Sequence, residues 1–249
     1  MAVRVSPGEL EPALATMVEL FPEGFEEVDG PEEIELAGFC SPERARVALD
    51  TLPGAVVSPV EPGWRDSWRS FYTPTRIGPL WVGPPWETPD SGSLPVTIDP
   101  GDAFGTGTHA TTRLCLELLC EEATGSVVDL GCGSGVLSIA ALRLGFRPVI
   151  SVDLDLVAVR ATQANGRLNH LAPDVRRIDA LADDLPRADL AVANMELEAL
   201  SRLLPRIGGP RAILSGYLVE DALEVPGWTV RERRELDGWV AELTVRSPA

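Results

Sequence analysis

Lysine is absent from this chain: all 21 basic residues are arginine, set against 38 acidic residues, for a formal net charge of -17. So little positive charge leaves few groups to hold a phosphate backbone, and the balance argues against a DNA or RNA substrate. An acidic surface suits a basic protein instead, although net negative charge also serves solubility alone. Histidine is scarce as well, with only His109 and His170. Cys40, Cys115, Cys120 and Cys132 form no C-x-x-C pair, so no metal site is expected, and a reduced, cytoplasmic setting fits. Long apolar runs are missing too. Leu130 to Leu142, the longest uncharged run near the middle, holds three glycines and is too short to span a bilayer. No basic segment followed by an apolar one opens the chain, and Glu9 and Glu11 arrive early, so no secretory signal is expected.

What is present is an ordinary globular composition, 45% apolar and 24% charged over 249 residues, enough for one large domain with a small one beside it. Residues 1–60 read as the small unit. Ala2-Val3-Arg4-Val5 is a short strand candidate, and Leu10, Ala13, Leu14, Met17 and Val18 fall at helical spacing. Phe25 to Asp29 and Ile34 to Phe39 read as strands about the Gly30-Pro31 turn. Ser41-Pro42-Glu43 opens a capped helix running to Leu52, and Ala55-Val56-Val57 closes as a strand. The order βαββαβ predicts a small ferredoxin-like α+β domain.

Residues 61–93 form a connector rich in proline and tryptophan. Trp64 and Trp68 stand four apart on a predicted short helix, and Trp81 and Trp86 flank Pro84-Pro85. These aromatics are read as cement between two domains in preference to a substrate rim. From Leu94 onward, short apolar strands at 127–130, 149–153, 175–179, 189–193 and 213–215 alternate with helical stretches such as 136–144 and 156–169. Residues 94–249 are therefore predicted to be α/β, a doubly wound, mostly parallel sheet with helices on both faces. Asp237-Gly238, between apolar segments at 228–236 and 239–245, signals a terminal hairpin and hence an antiparallel pair at the sheet edge.

Open sheets of this kind bind ligands beyond the carboxyl ends of their strands, where strand order reverses. The strand ending near Asp129 runs into Gly131, Cys132, Gly133, Ser134 and Gly135, a turn whose glycines let backbone N–H groups approach a ligand closely. A dinucleotide turn would carry a last glycine where Val136 stands. Asp129 would also oppose a pyrophosphate, whereas it suits a ligand carrying an ammonium and a sulfonium. Asp153 ends the next strand, where a carboxylate accepts from ribose hydroxyls. Upstream, Phe104, Gly105, Thr106 and Gly107 form a loop that leads through Thr112 into a helix, whose free N–H groups suit a carboxylate; Phe104 is placed to exclude water. Asn194 follows the buried strand Leu190-Ala191-Val192-Ala193, where a polar side chain can orient an amine. Each feature has a plainer reading as a turn or cap residue.

Together they resemble the class I S-adenosylmethionine methyltransferases. More narrowly, the run from Phe104 to Thr112, the Asp129 to Gly135 turn, Val152-Asp153-Leu154-Asp155 and Ala193-Asn194 resemble the ribosomal protein L11 methyltransferase family, PrmA. With Trp64, Trp68, Trp81, Trp86 and the Leu214 to Leu218 segment, the resemblance covers roughly residues 61–218. It implies S-adenosyl-L-methionine as cofactor, with contacts from Thr112, Gly131, Asp153 and Asn194. It also implies methylation of lysine and N-terminal amines of a basic ribosomal protein that the ferredoxin-like domain recognises. Leu156 departs from the family's usual proline, and Met195-Glu196 from its commoner apolar pair. The first 60 residues match by element order and not by motif.

Methyl transfer is an in-line displacement, so the protein must chiefly position a nucleophile and exclude water. A lysine amine, with a pKa of about 10.4, must first lose a proton. Asn194 and neighbouring carbonyls are expected to orient the neutral amine as the catalytic element, with Glu196 a weaker candidate for assisting proton loss. The cofactor set expected is Phe104, Gly105, Thr106, Gly107, Thr112, Asp129, Gly131, Gly133, Asp153 and Asn194, with no metal. The chain is expected to act as a monomer, without nucleic acid or membrane partners. The competing readings are a methyltransferase for another protein or a small molecule, and a noncatalytic binding module on the same fold. A dehydrogenase is disfavoured by Val136 and Asp129.

Overall fold

In the computed structural model, which describes residues 1–6, 8–21, 26–29, 33–38, 42–58, 72–99 and 107–247, the alternation at the start of the chain produces β1 (Ala2–Val5), with Val3 and Val5 buried and Arg4 exposed. The helical spacing of Ala13 and Met17 buries both on one face of α1 (Leu10–Leu20). Strands β2 (Glu26–Asp29) and β3 (Ile34–Ala37) follow, then α2 (Pro42–Thr51), which buries Ala45 and Ala48. The sheet order is β1-β3-β2, antiparallel throughout, and Val56 adds one antiparallel bridge to Ala2 on the outer side of β1. Val3, Val5, Ala13, Met17, Phe21, Leu36 and Leu52 form a single core. Full burial of each large side chain among these stabilises by about 1.5–3 kcal/mol. Phe25, Phe39 and Ser41, assigned from sequence to element ends, lie outside the described residues. The chain divides into two units, Met1–Ser67 and Trp68–Ala249.

The second unit begins with strands where a connector was expected. β4 (Thr75–Ile77), β5 (Leu80–Gly83) and β6 (Leu94–Thr97) form a small sheet in that order, with β4 antiparallel and β6 parallel to β5. Every residue of β5 is buried, Trp81 among them, and Ile77, Leu80, Val82, Val96 and Ile98 join the main core. Trp64 and Trp68 lie outside the described residues.

The main sheet has seven strands: β7 (Val127–Leu130), β8 (Val149–Asp153), β9 (Asp174–Arg177), β10 (Leu190–Asn194), β11 (Arg211–Leu218), β12 (Trp228–Leu236) and β13 (Trp239–Arg246). Their spatial order is β12-β13-β11-β10-β7-β8-β9. Five run parallel, and the terminal hairpin turns at Asp237-Gly238, both with positive φ, to place β13 antiparallel beside β11. Helices α3 (Ala110–Glu121) and α4 (Val136–Leu144) cover one face, burying Leu114, Leu118 and Ile139 against Val127, Val192 and Ile213. On the other face α6 (Leu197–Leu203) and the 3-10 turn Leu204–Arg206 cover Val128, Ala191 and Leu214. Between β8 and β9 lies α5 (Leu156–Leu168), capped by the Asp155 carboxylate, which accepts from Val157 N at 2.8 Å. Arg234 of β12 ties the hairpin to α3 through Glu121 at 2.5 Å and Glu117 at 3.7 Å.

Candidate active site

Strand order reverses at β7, which pairs with β8 on one side and β10 on the other, so the carboxyl ends of these strands frame the crevice where such sheets bind ligands. The glycine turn sits there because its backbone is bonded to β8. Gly131 N and Cys132 N both donate to Val152 O, at 2.9 and 3.0 Å. Gly133 N donates to Asp153 Oδ2 at 3.0 Å, and Asp155 N donates to Asp153 Oδ1 at 2.9 Å, so Asp153 is fixed at the strand end by two backbone groups. Gly131 has φ +76°, and a Cβ built there would come within 3.0 Å of Met195 Cε, so the turn is pressed against the end of β10.

Asp129 lies under this turn, buried with 1% of its surface exposed. Its Oδ2 accepts from Ser138 Oγ at 2.6 Å. Among the described residues it makes no ion pair. Burial pushes its carboxyl up to about 6, against the opposing pull of Ser138, with the Asp153 charge pushing further in the same direction. Burial also raises the Cys132 thiol, which lies 3.2 Å from Thr162 Oγ1 and stays neutral.

The second wall comes from the start of α3. His109 is its N-cap residue, exposed, with its ring 5.0 Å from that of Trp239 in an edge-to-face arrangement. Thr111 and Thr112 are buried. Asn194, half-buried at the end of β10, donates from Nδ2 to Thr111 Oγ1 at 3.0 Å and to Thr112 Oγ1 at 3.3 Å. His109 Nδ1 accepts from Thr111 N at 3.4 Å and so carries no hydrogen, which makes Thr111 Oγ1, 2.8 Å away, the donor to it. With Nδ2 committed in this way, Asn194 offers a ligand its acceptor, Oδ1. Glu196 is exposed, at the N-cap of α6.

The structure thus brings Thr112, Asp129, Gly131, Gly133, Asp153 and Asn194 to one crevice, with Gly107 buried at the entrance to α3. Phe104, Gly105 and Thr106 lie outside the described residues. Sequence reasoning missed the groups that hold these elements together. Asn165, buried in α5, donates to Ser134 O at 2.9 Å and accepts from Asp99 N at 3.0 Å, joining the glycine turn to the end of the small sheet. One turn further, Asn169 exchanges two bonds with the backbone of Thr97, at 2.9 and 2.6 Å. The available signal was two amides four residues apart on the inner side of an amphipathic helix.

A mostly parallel sheet of this order, with a glycine turn and two carboxylates at its reversal point, defines the class I methyltransferase fold. The comparisons narrow that class. Residues 43–247 match the family model described as ribosomal protein L11 methyltransferase (PrmA). A ribosomal protein L11 methyltransferase of Symbiobacterium thermophilum is 38% identical over 230 residues, covering 82% of this chain and 75% of that protein. That of Azotobacter vinelandii is 42% identical over 193 residues, 71% of this chain and 66% of the relative. The crystal structure of a ribosomal protein L11 methylase from Lactobacillus delbrueckii subsp. bulgaricus superposes with a TM-score of 0.63 at 28% identity, covering 71% of this chain and all of that one. The chain belongs to the ribosomal protein L11 methyltransferase family.

Proposed function

We propose that this chain transfers methyl groups from S-adenosyl-L-methionine to lysine side-chain and N-terminal amines of ribosomal protein L11. The observation that carries the reading is the Asn194 amide, held by Thr111 and Thr112 beside the glycine turn that follows Asp129. The described residues suit the cofactor. Asp129 is a buried carboxylate with no cation paired to it among the described residues, which matches an ammonium group, and Asp153 stands where ribose hydroxyls are accepted. The backbone of Gly131 and Gly133 and the hydroxyl of Thr112 complete the set, with Phe104, Gly105, Thr106 and Gly107 added on the sequence motif alone. When bound, the cofactor supplies an electrophilic methyl group on a sulfonium. The protein's part is to orient a neutral amine at Asn194 Oδ1 and the carbonyls that follow it, and to keep water out. Glu196, being exposed, is the weaker element in proton removal.

The substrate side of the proposal rests on charge and on the first unit. A net charge of -17 attracts a basic protein and disfavours direct nucleic-acid binding. The antiparallel order of β2, β3, β1 and the Val56 bridge supports a ferredoxin-like recognition domain over residues 1–60, followed by a connector and a catalytic domain from about residue 94. The family match begins at residue 43, so most of that unit lies outside it. Among the described residues no helix is long and apolar enough to cross a membrane. A ribosomal-protein substrate supports a cytoplasmic setting. Intact-mass analysis of ribosomal protein L11 before and after incubation with enzyme and cofactor tests the reading. Increments of one CH2 per methyl are expected. A substrate that stays unmodified, while cofactor turns over on another protein or a small molecule, would move the assignment to that target.

A further inference from the structure

Beneath the glycine turn lie two serines that its backbone bonding does not require. Ser138, in the first turn of α4, and Ser151, in β8, are each 0% exposed. Ser151 stands opposite Asp129 in the parallel pairing of β7 and β8. Ser138 Oγ donates to Asp129 Oδ2 at 2.6 Å, and the two serine oxygens are 2.5 Å apart. A hydroxyl has one hydrogen. Since that of Ser138 goes to the carboxylate, Ser151 must be the donor to Ser138, and the chain runs Ser151 to Ser138 to Asp129. Burying a hydroxyl costs free energy unless it is bonded. Here two are buried side by side, and the chain they form ends on one carboxylate oxygen.

We infer that Ser138 and Ser151 are positioning residues for the cofactor, holding Asp129 ionised and in a fixed orientation toward the cofactor's ammonium group. The inference rests on the cofactor reading of Asp129 given above. The surroundings otherwise favour the neutral acid. Burial pushes Asp129 upward, and Asp153, at the end of β8, pushes the same way. The other titratable groups coupled to it are Cys132 in the turn and Cys115 on α3, whose thiols burial also raises and which stay uncharged. Ser138 opposes protonation, first through its hydroxyl and then through its backbone, and a hydroxyl donor that is itself polarised by a second hydroxyl donates more strongly.

Calorimetric titration of the full chain with S-adenosylmethionine, from about pH 5.5 to about pH 8.5, tests this. In the wild type, affinity should fall on the acid side as Asp129 takes up a proton. Ser138→Ala should weaken binding about tenfold at neutral pH and move that acid limb about one unit higher, because the carboxylate loses the stronger of the two bonds by which Ser138 favours its charged form and keeps only the backbone one. Ser151→Ala should weaken it about threefold in the same direction. The double variant should bind no worse than Ser138→Ala, since Ser151 acts through Ser138. In an Asp129→Asn background neither serine change should matter further. Should Ser138→Ala fail to fold, Ser151→Ala still decides, because its hydroxyl bonds to Ser138 and yet must shift the acid limb. An unchanged pH profile in the variants, or losses that multiply, overturns the inference alone. A wild type that binds no cofactor at any pH overturns the cofactor reading and this inference with it.

Discussion

Asn194 at the end of β10 is hydrogen-bonded across 83 residues to Thr111 and across 82 to Thr112 at the start of α3, so two polar contacts join the elements framing the crevice. The amide can present Oδ1 to an amine only while Nδ2 stays on the threonine hydroxyls. Thr111→Val keeps the shape and removes the nearer of the two acceptors. The expected result is a fall in kcat of about a hundredfold, the scale on which small misplacements act, with cofactor affinity within about threefold of wild type. Thr111→Ser should restore most of the rate, and Asn194→Ala should lose more than Thr111→Val. Steady-state kinetics beside a calorimetric Kd separates the two quantities. Full transfer activity in Asn194→Ala with undiminished cofactor binding would remove Asn194 from the site.

Much of this crevice was legible beforehand because its signals are local. Asp129, Gly131, Gly133 and Asp153 stand at the ends of strands whose apolar runs are short and clear, and the boundaries of β7, β8 and α4 follow directly from them. The 3.6-residue spacing of Ala13 and Met17 likewise fixes the buried face of α1. What sequence reasoning missed depends on partners distant in the chain. β4 and β5 are three and four residues long and flanked by proline and glycine, so they read as a connector until Leu80 and Val82 are seen to join the core to which α3 and α4 contribute. α6, at seven residues, gives too little periodicity to register. Asn165 and Ser138 sit inside helices, where a polar side chain is ordinarily solvent-facing. Their bonds, to Ser134 and Asp99 in one case and to Asp129 in the other, exist only after the turn has folded over them.

The ionisation of Asp129 should set function against stability. Its folded-state carboxyl lies near pH 6, above the value of an unfolded aspartate, so the folded protein favours the protonated form. For a raised carboxyl the stabilising contribution is present below the unfolded value, near pH 4, and is lost as pH rises through about 6. Above that, the buried charge costs on the order of 3 kcal/mol. Asp129→Asn removes the cost. The variant should therefore gain thermal stability over wild type at about pH 8 and gain much less at about pH 4.5, while losing cofactor binding. Thermal unfolding at the two pH values checks the sign. An Asn variant destabilised more at the higher pH would mean that Asp129 is held charged by groups other than those described.

Gly216 carries the most specific backbone requirement at the site. It has φ +113°, and a Cβ placed there would come 2.1 Å from Met195 O and 2.9 Å from Met195 N, both backbone atoms. Met195 N in turn donates to Ser215 O at 2.9 Å, so the residue following Asn194 is clamped to β11 at the point where the pairing of β11 with β13 shifts register between Ser215 and Tyr217. No rotamer relieves this contact. Either β11 moves or the Asn194-Met195 turn does. Gly216→Ala should cost on the order of 1–3 kcal/mol in urea unfolding, from left-handed strain alone. The displaced atoms belong to the residue beside Asn194, whereas Asp129 and Asp153 lie on β7 and β8. Methyl transfer should therefore fall by a larger factor than S-adenosylmethionine affinity does. A variant with wild-type kcat and only a shifted urea midpoint would show that β11 absorbs the whole displacement, and that the position of Met195 does not matter to the reaction.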